Sequence, residues 1–157
     1  MTSMKRRIFL KGSLATGAIG MAVGTGLLTP RIALAAWSKE AFEATDVDGA
    51  LNGLFGSSDL TGSDNIKIKA PDIAENGAVV PVSVTTDISG ASSISIIAEK
   101  NAQPLAASFD LGPGTEGYVS TRIKMGKTAS VIAVVKADGK LHSTGKEVKV
   151  TIGGCGG

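Results

Sequence analysis

One cysteine and one histidine are all the thiol and imidazole that this 157-residue chain contains. A lone cysteine closes no internal disulfide, and a Cys/His metal cluster cannot be assembled from one of each. No Ser-His-Asp arrangement can be read off, and no glycine-rich loop leads from a strand into a helix to cradle phosphate. Asp46 and Asp48 occupy two positions of a calcium loop without the others, so helix capping is their expected use. No metal and no cofactor is therefore expected. Acidic side chains are missing altogether from residues 1–35.

That acid-free segment has its own pattern. Arg6 and Arg7 precede Phe9, Leu10 and Lys11, a Gly/Ala-rich apolar stretch follows, and Ala33-Leu34-Ala35 closes it. A basic start, a modest apolar middle and an A-x-A cleavage site at Ala33 and Ala35 make a signal peptide. The paired arginines fit the twin-arginine export signal, which predicts a periplasmic protein with no membrane span after cleavage. Removing the five basic residues of the signal leaves 11 basic against 14 acidic residues, a net charge of −3. The basic balance of the whole chain is thus no argument for nucleic-acid binding. Twin-arginine export delivers folded proteins, and with no cofactor motif in view, assembly with a partner is the reason favoured here.

The remaining 122 residues are enough for one domain with a buried core. Segments 37–44 and 46–55 carry apolar residues at helical spacing, among them Val47, Leu51, Leu54 and Phe55. Asp46 or Asp48 is placed to cap the second segment and Gly56 to end it, with loop chemistry over 56–62. From Ile66 the period becomes two. Ile66 and Ile68, then Val80, Val82 and Val84, then Ile94, Ile96 and Ala98 each share a face; Pro81 suggests an edge or a bulge. Leu105, Ala107, Phe109 and Leu111 follow on one face, then Val119 to Met125, Val131 to Val135, and Val148 to Ile152, with an Asp138-Gly139 hairpin turn. About seven strands at short spacing predict a mainly β, immunoglobulin-like antiparallel sandwich over 63–152, preceded by a helical segment and loop over 36–62. Val131–Val135 is apolar on both faces, and Ile97 points out of the register of its own strand. Either the N-terminal helices cover that outer face, or a second subunit does, in which case Ile97, Ile132 and Val134 mark the partner interface.

The chain ends in Gly153-Gly154-Cys155-Gly156-Gly157. Paired glycines on both sides leave the thiol unshielded and the backbone free to take almost any conformation, so residues 153–157 read as a flexible arm. Counted from Thr151, an extended arm holds the sulfur roughly 13 Å from the last strand. Nothing in the tail activates it: a thiol at its reference pKa is only about 3 % thiolate at neutral pH, and the terminal carboxylate two residues away lowers that further. His142, just past the hairpin turn, reads as a strand-end histidine. Cys155 is therefore expected to be a carried group, activated inside a partner rather than by this domain.

These features together resemble the SoxY family, sulfur-substrate carriers of bacterial thiosulfate oxidation. The terminal Gly-Gly-Cys-Gly-Gly is the most specific part. The resemblance also takes in Asp72–Gly77 leading into Val79-Val80-Pro81-Val82, and Val148–Ile152 running into the tail. It implies a SoxZ-like partner subunit, in a heterodimer or a higher assembly. It implies a SoxAX-like haem enzyme that joins thiosulfate to Cys155, a SoxB-like hydrolase that releases sulfate, and in some organisms a sulfane dehydrogenase. On this reading the chain is not an enzyme, and Asp72–Gly77 is no more than a turn feeding a strand. Two rivals are a ubiquitin-like carrier using its terminal Gly-Gly, which export argues against, and a structural protein whose tail cysteine forms an intermolecular disulfide.

Overall fold

The computed structural model describes residues 38–152. Two short helices come first, α1 (Lys39–Glu43) and α2 (Val47–Phe55). Asp46 caps α2, its side chain accepting the Gly49 N–H at 2.7 Å. At the other end Gly56 takes a left-handed φ of 75° and donates its N–H to the Asn52 carbonyl at 2.8 Å, the usual glycine stop. The helices pack closely where Gly53 meets Ala41: a Cβ at Gly53 would lie 2.8 Å from the Ala41 nitrogen. The Ser38 hydroxyl adds a 2.6 Å bond to the Gly53 carbonyl. Gly53→Val is therefore expected to force α1 and α2 apart at a cost of about 1–3 kcal/mol; a urea midpoint equal to wild type would contradict this close packing.

Nine strands follow among the described residues. They are β1 (Leu60–Gly62), β2 (Ile66–Lys69), β3 (Ile73–Ala74), β4 (Val80–Thr86), β5 (Ala91–Ala98), β6 (Leu105–Asp110), β7 (Tyr118–Ile123), β8 (Ala129–Ala137) and β9 (Lys140–Val150). The larger sheet runs β1-β9-β8-β5-β6, with β3 on the edge of β9 that β8 leaves free; the smaller runs β2-β4-β7. Only β1 and β3 pair in parallel, both with β9. The result is the expected immunoglobulin-like sandwich. At the β8–β9 turn Asp138 (φ 48°) and Gly139 (φ 75°) are both left-handed, as a two-residue hairpin of right-twisting strands requires.

Four details depart from the periodicity. Leu60–Gly62 lies in a segment that reads as loop, and Ile73–Ala74 in one that reads as a turn. Each is too short to show alternation, and the free edge of β9 recruits both. β9 itself begins at Lys140 and runs through the polar stretch from His142 to Glu147, because β8 offers it a continuous ladder from Ala137 down to Ala129. Pro81 lies in the middle strand of the small sheet, not an edge strand. β2 ends at Lys69, opposite Ser83, so Pro81 has a partner only on β7, at Arg122. Its missing N–H thus breaks no second ladder. Finally, pairing passes from Ile96↔Ala107 to Ile97↔Leu105. That bulge reverses the parity of β6: Leu105 turns toward the helices while Phe109 and Leu111 stay between the sheets.

The core accordingly has two layers. Val80, Val82, Val84, Ile94, Ile96, Val131, Ala133, Val135 and Val148 fill the space between the sheets. On the outer face of the large sheet, Ile97, Val134 and Leu141 pack with Ala41, Ala50 and Leu51 of the helices, and Ile132 borders the same cluster. Ile97 and Val134 are 0 % exposed within this single chain. The expectation that Ile97, Ile132 and Val134 form a partner interface is therefore corrected. The two-faced apolar strand is covered by the chain's own helices.

Candidate functional site at the root of the C-terminal arm

Of the residues singled out in the sequence, Gly153, Gly154, Cys155, Gly156 and Gly157 lie outside the described residues. So do Arg6, Arg7, Phe9, Leu10, Lys11, Ala33 and Ala35. What the structure describes is the ground from which the arm departs.

From the last residues of β9 to Ile152 the backbone is held residue by residue. Parallel pairing of β3 with β9 sets Ile73 opposite Lys149 and Ala74 opposite Val150. The Lys149 N–H donates to the Asp72 carbonyl at 3.0 Å and the Thr151 N–H to the Ala74 carbonyl at 3.1 Å. The Thr151 hydroxyl donates to the Glu75 carbonyl at 3.2 Å, and the Val150 N–H to Thr128 Oγ1 at 2.9 Å. Gly77 closes the set. Its N–H donates to the Ile152 carbonyl at 2.8 Å, and its own carbonyl accepts from the Met125 N–H at 2.7 Å. One glycine thereby links the end of the large sheet to the segment that follows β7. Upstream, Lys146 Nζ bonds the Ala70 carbonyl at 2.7 Å and Asp72 Oδ1 at 3.0 Å, tying the start of the clamp to β9. Asp72 is exposed, so the ion pair is screened and the carbonyl bond contributes more.

Asp72–Gly77 is therefore a clamp and not merely a turn. Its action is through backbone groups, which leave little trace in a sequence. The last described residue that the clamp holds is Ile152, three residues before Cys155, so the span from that anchor to the cysteine is at most about 11 Å.

Among the described residues no histidine and no metal-binding set lies near this root. His142 lies on β9 opposite Val135, with β1 on its other side. Val150 lies eight positions further along the strand, roughly 26 Å away, beyond the reach of a thiol three residues past Ile152. Among the described residues no group of three or more His, Cys, Asp or Glu could hold a metal. A cavity of about 490 Å³ lies at the opposite pole, between loops 86–92 and 111–117, with Asp87 its only ionisable lining residue. Tyr118 is toward that pole too. Hydrogen bonding with the hydroxyls of Ser83 and then Ser120 holds its phenol below the ordinary tyrosine value, which bears on no chemistry at the root.

The surface at the root is apolar. Among the described residues the exposed large hydrophobic side chains are Ile73 (58 %), Val79 (54 %), Tyr118 (51 %) and Ile152 (67 %). Three of these four lie on the segments that the clamp joins.

Comparison with known proteins bears on the arm as well as the sandwich. A search among curated proteins finds no match. Among solved structures, the sulfur carrier protein SoxY from Chlorobium limicola f. thiosulfatophilum is 50% identical, with a TM-score of 0.62, over 68% of this chain and 97% of that one. The PKD domain of an M14-like peptidase from Thermoplasmatales archaeon SCGC AB-540-F20 is 16% identical with a TM-score of 0.36, too distant to carry any argument. The family model for the sulfur oxidation protein SoxY matches residues 51–155, from α2 to the tail cysteine itself. The chain belongs to the SoxY family of sulfur oxidation proteins.

Proposed function

We propose that this protein is a periplasmic sulfur carrier, exported on the signal over residues 1–35, that bears thiosulfate-derived sulfur on Cys155. The observation that carries the reading is the family match extending to that cysteine, on a tail whose root is anchored through Ile152. A thiol carried three residues beyond a held anchor, with no histidine in reach among the described residues, is inert in transit and depends on each receiving site for its reactivity.

The chemistry closes without any group of this chain besides the sulfur. The Cys155 thiol and thiosulfate lose one proton and two electrons as the S–S bond forms, leaving a Cys-S-thiosulfonate; a SoxAX-like haem enzyme takes the electrons. Water then cleaves the bond between the sulfane sulfur and the sulfonate in a SoxB-like hydrolase. Sulfate and two protons leave, and a persulfide anion remains on Cys155. A sulfane dehydrogenase, where present, oxidises that remaining sulfur. The chain itself is a substrate in each step, not a catalyst. A SoxZ-like subunit completes the carrier, on a surface other than the helix-covered face of β8.

The test is intact-mass spectrometry of the protein isolated from cells oxidising thiosulfate. Added mass on the C-terminal peptide, lost on treatment with reductant, is the expected result. An unmodified thiol throughout, or a covalent dimer as the sole modified form, counts against the carrier.

A further inference from the structure

We infer that Asn76 is a self-modification site: when the clamp releases Gly77, the Asn76 side chain closes onto the Gly77 nitrogen, loses ammonia and ends as isoaspartate, which the clamp cannot re-engage. An asparagine is open to this ring closure when the next residue is glycine, because no Cβ hinders the attacking nitrogen and the backbone is free to turn. The chain has two such pairs, Asn52-Gly53 and Asn76-Gly77. Only the second is set up for the reaction. Asn76 is exposed and its Oδ1 accepts the Ala78 N–H at 2.8 Å, an Asx turn that folds the side-chain carbonyl over the following backbone. That N–H points at the oxygen on which charge develops as Cγ is attacked, so it stabilises the tetrahedral intermediate. Asn52 instead donates from Nδ2 to the Asp48 carbonyl at 2.9 Å, within α2. Helical backbone directs its side chain back along the helix, away from the next nitrogen.

What restrains Asn76 is its neighbour. Gly77 is buried and its N–H is held by the Ile152 carbonyl at 2.8 Å, so base does not reach that proton while the clamp is closed. Opening is the gate. β3 is 2 residues long and among the described residues pairs with β9 alone. Such peripheral elements open locally at far less cost than the core. Once the clamp is open, base removes the Gly77 amide proton and the nitrogen attacks Asn76 Cγ. The side-chain nitrogen takes up a proton and leaves as ammonia, and a five-membered succinimide remains. Water then cleaves one of the two C–N bonds of that ring. Cleavage at the Asn76 backbone carbonyl gives isoaspartate, and cleavage at Cγ gives aspartate. One water is consumed and one ammonia released, with no change of oxidation state. Isoaspartate carries the chain through its side chain, which adds one backbone atom before Gly77. With Asp72 and Ala74 still bonded to Lys149 and Thr151, Gly77 then falls out of register with both Ile152 and Met125. Ile152 loses its partner for good.

The experiment incubates the purified, folded protein in mildly alkaline heavy-oxygen water and maps its peptides by mass spectrometry, with enzymatic methylation of isoaspartate as a second readout. Position 76 is expected to take up one heavy oxygen, as isoaspartate and aspartate, at least about tenfold faster than position 52. The double variant Lys146→Met/Thr151→Ala removes the side-chain bonds to Ala70, Asp72 and Glu75. It should speed conversion of Asn76 at least about threefold and leave Asn52 unchanged. In urea, wild type and variant should convert at one common rate, faster than either does when folded. If the double variant does not fold, Thr151→Ala alone, at an exposed position, is expected to accelerate Asn76 about twofold. A folded variant that converts Asn76 no faster than wild type overturns the proposal. So does conversion of Asn52 ahead of Asn76, or an equal rate in folded and urea-unfolded wild type. An isolated isoaspartate form whose Gly77 and Met125 amides exchange with solvent as slowly as in the unmodified protein also overturns it. Sulfur loading enters none of these readouts, so the result stands apart from the carrier function.

Discussion

Cys155→Ser is expected to reduce sulfur loading to nothing detectable while leaving urea unfolding as in wild type. The carrier step needs a sulfur that can form and later surrender an S–S bond. A serine oxygen offers no equivalent, and its hydroxyl is far less acidic than a thiol. The fold has no reason to respond. Cys155 lies beyond Ile152, the last described residue that the clamp holds, and the described helices and strands fill both core layers by themselves. The measurement is paired: mass of the C-terminal peptide after growth on thiosulfate, and a denaturation curve on the same preparation. A serine variant that still gains sulfur, or one that unfolds earlier, would place the sulfur elsewhere or give the tail a structural role.

Leu51→Ala is the substitution expected to cost most in stability, about 2–5 kcal/mol. Leu51 is 1 % exposed and packs in the cluster with Ile97, Val134 and Leu141, so truncation leaves a cavity between helix and sheet that neighbours only partly fill. A domain of this size is stable by about 5–15 kcal/mol, so the loss is a large fraction of the whole. It should appear in the isolated chain, without a partner subunit, as a lower urea midpoint. A change below about 1 kcal/mol would mean that the helices do not cover β8 in solution and that Ile97, Ile132 and Val134 are open to a partner.

The reasons for these two effects differ in how visible they are in the sequence. The strand positions were legible because alternation from Ile66 to Val84 and from Val119 to Met125 is a local property of a half-buried sheet. Asp46 and Gly56 were legible because caps act within one turn of the chain. β6 was not fully legible, since a single bulged residue reverses inside and outside without altering composition. β1 and β3 were missed for a related reason: two or three residues show no period, and the unpaired edge of β9 is what makes them strands. The covering of β8 had two acceptable answers. Hydrophobicity states that a face must be buried and is silent on what buries it.

The sequence by itself supplied the expectation for the end of the chain. A single thiol among glycines, in a chain with one histidine and no second cysteine, reads as a carried group, and that reading follows from residue types alone. Tertiary structure decided how the chain leading to that group is held. Backbone N–H and carbonyl groups are the same for every non-proline residue, so no reading of side chains could disclose that Asp72, Ala74 and Gly77 grip Lys149, Thr151 and Ile152. That grip holds the chain as far as Ile152 and leaves Ile73, Val79 and Ile152 exposed.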